Sequence, residues 1–357
     1  MISTKMPKIL IAGSGITGSL VAASLLQQAK ENVANQLQLS IWEKAKGTGG
    51  RMSTSRSPHN SSCVADLGAQ YITCKPYYAQ EHSKEYEELL SKGVLEPLKI
   101  SINNCHEHEP GTKHYVAPNG MSSIAKYFIS QSGCQPEFEH HISTITKEDN
   151  KWSVSTLQGK VELFDAIVLT IPVPQVLQLK GTVAEILENN QEMKTKLSTV
   201  EYSSRYAVGL YYDQGAELNL PFKASYLKDD PVFRYIAVDN LRRNRPELPT
   251  SVVFHTSVPF GLKHVELSIP EAEPILKEAI QRSFPGLPEP KAFKCQKWRY
   301  SQVTKSYEDQ PGVLELAQEP PLLVGGDGFT HSNLDGCISS ARKVCLVLLI
   351  APRRVGS

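Results

Sequence analysis

The chain has 357 residues, of which 40% are hydrophobic and 21% charged, the composition of an ordinary globular protein. Its formal net charge of +1 gives no electrostatic reason to expect nucleic acid or an anionic membrane as a partner. The 7 cysteines are odd in number and lack CxxC spacing, which favours reduced thiols in a cytoplasmic protein over a disulfide framework. No apolar stretch reaches the roughly 18 residues that a membrane-spanning helix needs.

A glycine-rich turn follows the first apolar segment. Residues 8–12 have the length of a strand, and residues 19–28 favour a helix rich in Ala and Leu. Between them, Gly13, Gly15 and Gly18 have G-x-G-x-x-G spacing. These glycines permit a tight turn, a close approach to a pyrophosphate and close packing of helix on strand, while the helix N-terminus attracts phosphate.

A second strand, residues 37–42, ends in Glu43, an acid placed to accept hydrogen bonds from ribose hydroxyls. The order of strand, turn, helix, strand and acid predicts a Rossmann-type dinucleotide-binding domain. The alternative is a glycine-rich turn in an unrelated α/β domain.

A second glycine loop follows Glu43 and ends in Gly49, Gly50 and Arg51. Its glycines allow the backbone to approach a ligand, and the planar Arg51 charge suits a phosphate or a flavin edge; a surface salt bridge is the alternative. The loop resembles the second glycine motif of the flavin-dependent amine oxidase superfamily. This resemblance changes the predicted cofactor from NAD to FAD.

A narrower resemblance, to one branch of this superfamily, covers nearly the whole chain. It is carried, in the same order, by residues 13–20, 49–52, 57–60, 65–74, 116–123, 169–179, 202–210, 255–261, 294–303 and 325–340. The resemblance implies that Thr17, Arg51, Gln70 and Tyr71 contact FAD. We therefore expect a two-domain α/β flavoprotein of the p-hydroxybenzoate hydroxylase-like type. Its Rossmann-type FAD-binding domain would comprise residues 1–76, 117–178 and 291–357, and a mixed-sheet substrate domain residues 77–116 and 179–290.

The remaining elements follow from local periodicity. Helices are predicted at 77–91, 119–129 and 184–198, and strands at 137–141, 152–155, 163–170, 207–212, 234–238 and 252–256. Cys105, His106, His108 and His114 occupy a polar, loop-like segment, but no spacing there matches a closed zinc set, so no metal is expected.

The catalytic candidates are aromatic and imidazole side chains that could line a substrate pocket: His255, Tyr71 and Trp298, with Tyr202 and Tyr206 as further members. His255 is the best polar candidate because it ends a predicted strand. Each of these residues could equally belong to the core.

Near the C-terminus, a strand at 321–325 leads into Gly326 and Asp327, which resembles the C-terminal FAD motif, where the acid accepts from ribityl hydroxyls. Asn333 then begins a helix whose positive end would favour the anionic reduced flavin. From Arg342 the chain departs from the family pattern: residues 344–352 are nearly all apolar and precede Arg353 and Arg354, which leaves the packing of this helix open.

The resemblance implies a reaction. The substrates would be 2- and 6-dihydro isomers of NADH and NADPH, with hydride passing to flavin N5 and O2 reduced to H2O2. A dihydropyridine needs no strong base, and none is evident. The chain lacks the Ser-Gly-Gly-Cys run of a covalent flavin tether, so FAD is expected to be non-covalent. The alternatives are an amine oxidase acting on catecholamines or polyamines, and a secreted, non-enzymatic signalling protein.

Residues 1–26 imitate a secretory signal, because Lys5 and Lys8 precede an apolar stretch. Cleavage there would remove the first strand and the phosphate loop. We therefore expect the segment to be retained and the protein to be cytoplasmic, with secretion as the alternative.

Overall fold

The structure is a computed structural model that describes residues 6–31 and 37–350. The strands are β1 (Lys8–Ala12), β2 (Gln38–Glu43), β3 (Thr54–Arg56), β4 (Val64–Asp66), β5 (Ile72–Cys74), β6 (Glu96–Pro97), β7 (Lys113–Val116), β8 (Glu137–Phe138), β9 (Ile142–Glu148), β10 (Lys151–Thr156), β11 (Val161–Phe164), β12 (Ala166–Leu169), β13 (Glu201–Tyr202), β14 (Arg205–Tyr211), β15 (Ala224–Tyr226), β16 (Phe233–Val238), β17 (Ser251–Thr256), β18 (Ala292–Trp298), β19 (Val303–Lys305), β20 (Val313–Ala317) and β21 (Leu322–Gly325).

The helices are α1 (Ile16–Glu31), α2 (Pro76–Glu81), α3 (Ser83–Ser91), α4 (Ser122–Ser132), α5 (Val173–Val176), α6 (Thr182–Asn189), α7 (Gln191–Ser198), α8 (Asp239–Arg242), α9 (Val258–His264), α10 (Ile269–Ser283) and α11 (Leu334–Ile350). Short 3-10 helices lie at Gly50–Met52 and Asp327–Phe329. The predicted α/β class is confirmed.

The chain divides into two compact units. Unit 1 comprises residues 1–50, 125–201 and 303–357, and unit 2 comprises residues 51–124 and 202–302. These boundaries differ from the domain segments expected from the sequence. Residues 51–76 belong to unit 2 because β4 packs against β14 and β17, and residues 179–201 belong to unit 1 because α6 packs against β9.

Unit 1 is built on a sheet with strand order β20-β21-β12-β1-β2-β8. All neighbours are parallel except β20 and β21. β1 is buried almost throughout, as expected for a central parallel strand covered on both faces. The carboxyl ends of β1 and β2 lie side by side, with Ala12 opposite Trp42, and this brings the phosphate loop next to Glu43.

The helix at the C-terminus, left open by the sequence, continues through Arg342 and packs against α1. Val344 and Cys345 are buried there, and the Cys345 thiol lies 3.9 Å from the Val21 carbonyl oxygen. Pro352, Arg353 and Arg354, like Lys5, fall outside the described residues.

Three single elements predicted from periodicity are each divided in the structure. The helix at 77–91 becomes α2 and α3, with His82 in a non-helical conformation between them. The helix at 184–198 becomes α6 and α7, because Asn190 caps α7 through a bond from the Met193 N–H. The strand at 163–170 becomes β11 and β12, because Asp165 exchanges hydrogen bonds with the Lys8 backbone, where β12 joins the parallel sheet.

Unit 2 is built on a five-stranded sheet with strand order β15-β16-β17-β14-β18. The strands of the mixed sheet predicted here pair antiparallel, and a parallel bridge joins Asn103 to Ser225 at the β15 edge. One face is apolar and packs on α10 through Leu276, Ala279 and neighbouring side chains. The other face carries smaller apolar clusters and the polar groups described below.

Candidate functional site

The glycine loop of unit 1 has the geometry that a phosphate requires. Gly13 has a φ of +102°, which favours glycine, and a Cβ at Gly18 would lie 2.1 Å from the Gly13 carbonyl oxygen. A Cβ at Gly15, in contrast, would meet no atom within 4 Å. Gly13 and Gly18 are therefore required by the fold itself, whereas Gly15 faces open space at the N-terminus of α1, the place for an anion. Thr17 is buried in the first turn of that helix.

Glu43 ends β2 and is buried beside this loop. One carboxylate oxygen accepts bonds from the Ser14 N–H (2.9 Å) and the Ser14 hydroxyl (3.1 Å), and the other accepts from the Ala45 N–H (2.9 Å). The carboxylate thus holds both glycine loops together. Because an ionised carboxylate offers about four acceptor positions, it keeps capacity for a ribose hydroxyl.

The second glycine loop contacts the first. The Gly49 N–H donates to the Ser14 carbonyl oxygen (3.1 Å), and Gly50, with a φ of +52°, has its Cβ position 3.5 Å from the Gly15 Cα. Both loops present backbone without side chains at one point, which suits a bulky phosphorylated ligand. Arg51 follows directly, and its carbonyl oxygen accepts from the Ala69 N–H (2.9 Å), within unit 2.

The C-terminal motif of unit 1 places Asp327 just after β21, nearly buried, where its carboxylate accepts from the Ser332 hydroxyl (3.0 Å). Gly326 precedes it with a φ of +126° and open space at its Cβ position. Asn333 caps α11, as predicted, because its side-chain oxygen accepts from the Gly336 N–H (2.7 Å). That oxygen is occupied by the cap, so the donors at this end of the helix are its backbone N–H groups and the Asn333 side-chain amide.

A row of side chains crosses one face of the unit 2 sheet. Cross-strand register pairs Tyr226 with Tyr235, Tyr235 with His255, and His255 with Ala207. Because side chains two residues apart share a face, Arg205 lies on this face beside Ala207, opposite Trp298 on β18. Trp298 donates its indole N–H to the Leu67 carbonyl oxygen (2.7 Å). The structure thus brings the predicted residues His255 and Trp298 onto one surface.

Gln70 meets this row at His255, with 3.3 Å between the two Nε2 atoms. The Gln70 amide donates to the carbonyl oxygens of Asp66 and Gly68. Its own side-chain oxygen, although buried, has no hydrogen-bond partner among the described residues. A buried acceptor without a donor is costly, so this atom is suited to a donor from a bound ligand.

His255 is held in its neutral form. Burial, followed by the charges of Arg205 and Arg242, lowers the pKa of His255 to about 3, against a weaker opposite effect of Asp239. A protonated ring would also direct an N–H toward the donating amide of Gln70. At neutral pH the residue is therefore an uncharged hydrogen-bonding group.

Tyr71 shares a short hydrogen bond with Tyr226, 2.7 Å between the hydroxyl oxygens. Burial, together with the other phenol, raises the pKa of Tyr71, and burial also raises the pKa of Tyr226. Both phenols are therefore protonated throughout the physiological range. The Tyr71 ring also meets His114 edge-on, with 5.6 Å between ring centroids.

Two guanidinium groups, neither singled out by the sequence, border the aromatic row. Arg205 donates to the Gln302 side-chain oxygen (3.1 Å), and its Nε is buried without a hydrogen-bond partner among the described residues. Arg234 stands over the Tyr226 ring, 5.2 Å from the ring centroid, at an irregularity in the pairing of β16. Within the described parts of the chain, neither guanidinium pairs with a carboxylate. This face therefore carries uncompensated positive charge.

A buried ionic cluster holds the segment that contains Gln70. Arg242 donates to Asp66 (2.7 Å), to Asp239 and to the Gln70 carbonyl oxygen, and Arg243 donates to Asp239 (2.6 Å). All four side chains are at most 1% exposed. Burial would raise the pKa of Asp239, but Arg242 and Arg243 outweigh it and lower that pKa, whereas burial and Asp239 raise the pKa of Asp66.

Two further pocket candidates lie elsewhere in unit 2. Tyr206 was wrongly proposed: it is buried on the opposite face of the sheet, and its hydroxyl donates to the carbonyl oxygens of His264 (2.7 Å) and Leu267 (3.0 Å). The sequence places it one residue from Arg205, so the alternation of a strand directs it into the core. Tyr202 packs edge-on against Tyr300, with ring centroids 5.4 Å apart.

None of the helices in residues 6–31 and 37–350 combines the length and hydropathy needed to cross a bilayer. Two family models match the chain: that of the flavin containing amine oxidoreductases over residues 95–349, and that of the NAD(P)-binding Rossmann-like domain over residues 11–89. The chain is also 45% identical to renalase of Mus musculus over 345 residues, which cover 96% of this chain and 99% of that protein.

Solved structures with the same fold include a putative protoporphyrinogen oxidase from Exiguobacterium (TM-score 0.70, 14% identity, 96% of this chain and 99% of that one). Another is putrescine oxidase bound to putrescine (TM-score 0.65, 10% identity, 97% of this chain and 99% of that one). The branch of the superfamily indicated by the sequence is that of the renalases, and the resemblance is confirmed. FAD is the cofactor of this family, and the open backbone at Gly15 in unit 1 fits the diphosphate of such a group.

Proposed function

This chain belongs to the flavin containing amine oxidoreductase family, within its renalase branch, and is an FAD-dependent oxidase. From the side chains of unit 2 we propose what its substrates are. They are the 2- and 6-dihydro isomers of NADH and NADPH, which it oxidises to the ordinary oxidised dinucleotides while O2 becomes H2O2. The same side chains argue against the alternative function, that of an amine oxidase.

The observation that carries this proposal is the uncompensated positive charge of Arg205 and Arg234 beside Tyr226. A guanidinium without a carboxylate partner attracts phosphate and repels an ammonium group. An anionic dinucleotide therefore gains from this surface, whereas a protonated amine such as a polyamine would be disfavoured. The neutral His255 adds no charge of either sign to this surface.

The proposed cofactor residues fall into two sets. In unit 1 the diphosphate would lie at Gly13, Gly15, Thr17, Gly18 and Gly50, with Glu43 accepting from ribose and Asp327 from the ribityl chain. In unit 2 the resemblance assigns Arg51, Gln70 and Tyr71 to the same cofactor, and Asn333 contributes through the α11 terminus that it caps. When bound, FAD accepts hydride at N5 and passes electrons to O2.

The side chains of unit 2 would bind and orient rather than exchange protons. The phenols of Tyr71 and Tyr226 stay protonated, and His255 stays neutral, so none is poised as a base near neutral pH. This agrees with a substrate that already carries a labile hydride. Trp298, with its N–H bonded to Leu67, offers a flat apolar surface to a nicotinamide ring.

The test is a steady-state assay of H2O2 and oxidised dinucleotide formation with an isomer mixture, pure NADH, a catecholamine and putrescine as separate substrates. We expect turnover with the isomers alone. Arg205→Gln and Arg234→Gln should each raise KM for the isomers about 10-fold through loss of a charge-assisted contact, with kcat little changed. Arg299→Gln, which removes an exposed pair with Glu266, is the matched control and should behave as wild type. Turnover of an amine with equal efficiency, or charge variants that leave KM unchanged, would contradict the proposal.

A further inference from the structure

Three side chains with metal-binding atoms converge in the loop between β6 and β7. Cys105, His106 and His108 each offer one ligand atom, and these atoms all lie within 4.8 Å of one another. No metal was expected here, because the spacing of these residues matches no closed zinc set. The folded loop nevertheless brings the three ligand atoms together.

The loop is fixed at its start by the edge of the unit 2 sheet. The Asn103 N–H donates to the Ala224 carbonyl oxygen, and the Asn103 carbonyl oxygen accepts from the Tyr226 N–H, each at 2.9 Å. Asn104 adopts a positive φ of 55° and donates its side-chain amide to the Tyr226 carbonyl oxygen (3.0 Å). Cys105 therefore follows directly from an anchored and sharply turned backbone.

The imidazoles are held by ring packing. His108 lies between His106 and His114, with ring centroids 4.2 Å and 4.8 Å apart. His114 is itself fixed on β7, and its Nδ1 lies 3.1 Å from the Thr73 hydroxyl oxygen. The cluster is consequently preorganised on one side by strand β15 and on the other by strand β7.

The distances suit a tetrahedral cation. The Cys105 sulfur lies 3.9 Å from the His108 Nε2, and tetrahedral bonds of about 2.3 Å to sulfur and 2.0 Å to nitrogen would place these two atoms about 3.5 Å apart. The three ligand atoms lie within 4.8 Å of one another, so the loop must close around the cation when it binds.

We propose that Cys105, His106 and His108 form a binding site for a borderline-soft divalent cation, of which Zn²⁺ is the best match, with solvent in the fourth position. A thiolate and two imidazoles are ligands that Zn²⁺ prefers over the oxygen donors chosen by Mg²⁺ or Ca²⁺. The site is distinct from the proposed cofactor residues, but His108 packs on His114, and His114 meets the Tyr71 ring. Cation binding should therefore alter the surroundings of the Tyr71 ring. The site does not depend on the proposed reaction.

The test is calorimetric titration of ZnCl2 into the FAD-loaded enzyme after removal of any purification tag, with Co²⁺ difference spectra to detect a thiolate-to-metal band. Wild type should bind one equivalent and give the band. Cys105→Ser and His108→Gln should each weaken binding about 100-fold or more, because one of three ligands is lost, and Cys105→Ser should abolish the band. Cys134→Ser and His59→Gln, a thiol and an imidazole outside the cluster, serve as controls and should bind as wild type.

Each variant is first checked for normal FAD content and thermal unfolding, so that a loss of binding cannot reflect misfolding. Binding of Zn²⁺ by the Cys105→Ser, His108→Gln double variant as tightly as by wild type would overturn the proposal. So would a wild-type Co²⁺ spectrum without a thiolate band, or no measurable Zn²⁺ binding.

Discussion

The Nε2 atoms of Gln70 and His255 lie 3.3 Å apart, and this contact joins the 66–71 segment to the sheet of unit 2. Gln70 already donates to the carbonyl oxygens of Asp66 and Gly68, so the facing His255 Nε2 must carry no proton, which the neutral ring allows and the protonated ring does not. Gln70 is proposed to contact the cofactor and His255 to line the substrate pocket. The contact between them thus depends on the protonation state of the His255 ring.

The first prediction concerns the pH dependence of His255. Its folded-state pKa is about 3, below the ordinary 6.5. As the pH falls from 6.5 toward 3, the unfolded chain therefore binds a proton that the folded protein does not, and stability present above pH 6.5 is progressively lost. In NMR spectra the His255 ring should show no titration between pH 5 and 8. Arg205→Gln should raise its pKa, while Arg299→Gln should not. A wild-type midpoint near 6.5 would refute the coupling.

The second prediction concerns Gly15, the glycine of the phosphate loop that faces open space. Gly15→Ala adds a methyl group in open space, so the protein should fold with unchanged stability but bind FAD about 10-fold or more weakly, because the diphosphate is displaced. Gly286→Ala, whose nearest neighbour would be 4.0 Å away, is the control and should bind FAD normally. FAD affinity is measured by flavin fluorescence quenching on titration of the apoprotein. An unchanged affinity in Gly15→Ala would show that the diphosphate does not approach this backbone.

A third prediction concerns Glu43, whose carboxylate accepts bonds from Ser14 and Ala45. Glu43→Gln would direct an amide N–H toward a backbone N–H and would lose an ionised acceptor for ribose. We expect FAD affinity to fall about 10-fold. Glu139→Gln, which removes only an exposed pair with Lys46, is the matched change. Equal FAD retention by the two variants during dialysis would argue against a ribose contact.

The fourth prediction concerns the buried ionic cluster. Arg242→Met removes a positive charge that pairs with the buried carboxyl groups of Asp66 and Asp239. The free energy of unfolding should therefore fall by about 3–5 kcal/mol. Arg245→Met breaks a partly exposed pair with Glu96 and should cost about 0–1 kcal/mol. Urea unfolding followed by tryptophan fluorescence measures both. If the two variants lost similar amounts of unfolding free energy, the buried ion pairs of Arg242 would stabilise the fold no more than the partly exposed pair of Arg245.

The phosphate loop and Glu43 were predictable because their geometry depends on residues close in sequence. Gly13 is required by its positive φ and Gly18 by its close approach to the Gly13 carbonyl oxygen, and Glu43 ends the very next strand. The helix at Asn333 was predictable for the same reason, since a cap acts over three residues. Local chemistry thus accounts for these parts of unit 1.

The polar face of unit 2 could not be predicted in the same way. Arg242 and Asp66 are 176 residues apart, and their pairing depends on how α8 and β4 pack. Arg205 and Tyr206 are adjacent, and only the strand register decides which of them faces His255. Cys105, His106 and His108 match no closed zinc spacing, and the sequence did not show that the loop would hold their ligand atoms together beside β15.

The central claim is that dihydronicotinamide isomers reduce the flavin of this protein. The most direct measurement mixes the FAD-loaded enzyme, without oxygen, with equilibrated NADH containing the 2- and 6-dihydro isomers, and follows flavin absorbance by stopped flow. Pure NADH and a catecholamine are the comparisons. We predict rapid bleaching by the isomer mixture and none, on that timescale, by either comparison. Bleaching by the catecholamine alone, or no bleaching by the isomers with FAD fully bound, would contradict the proposed function.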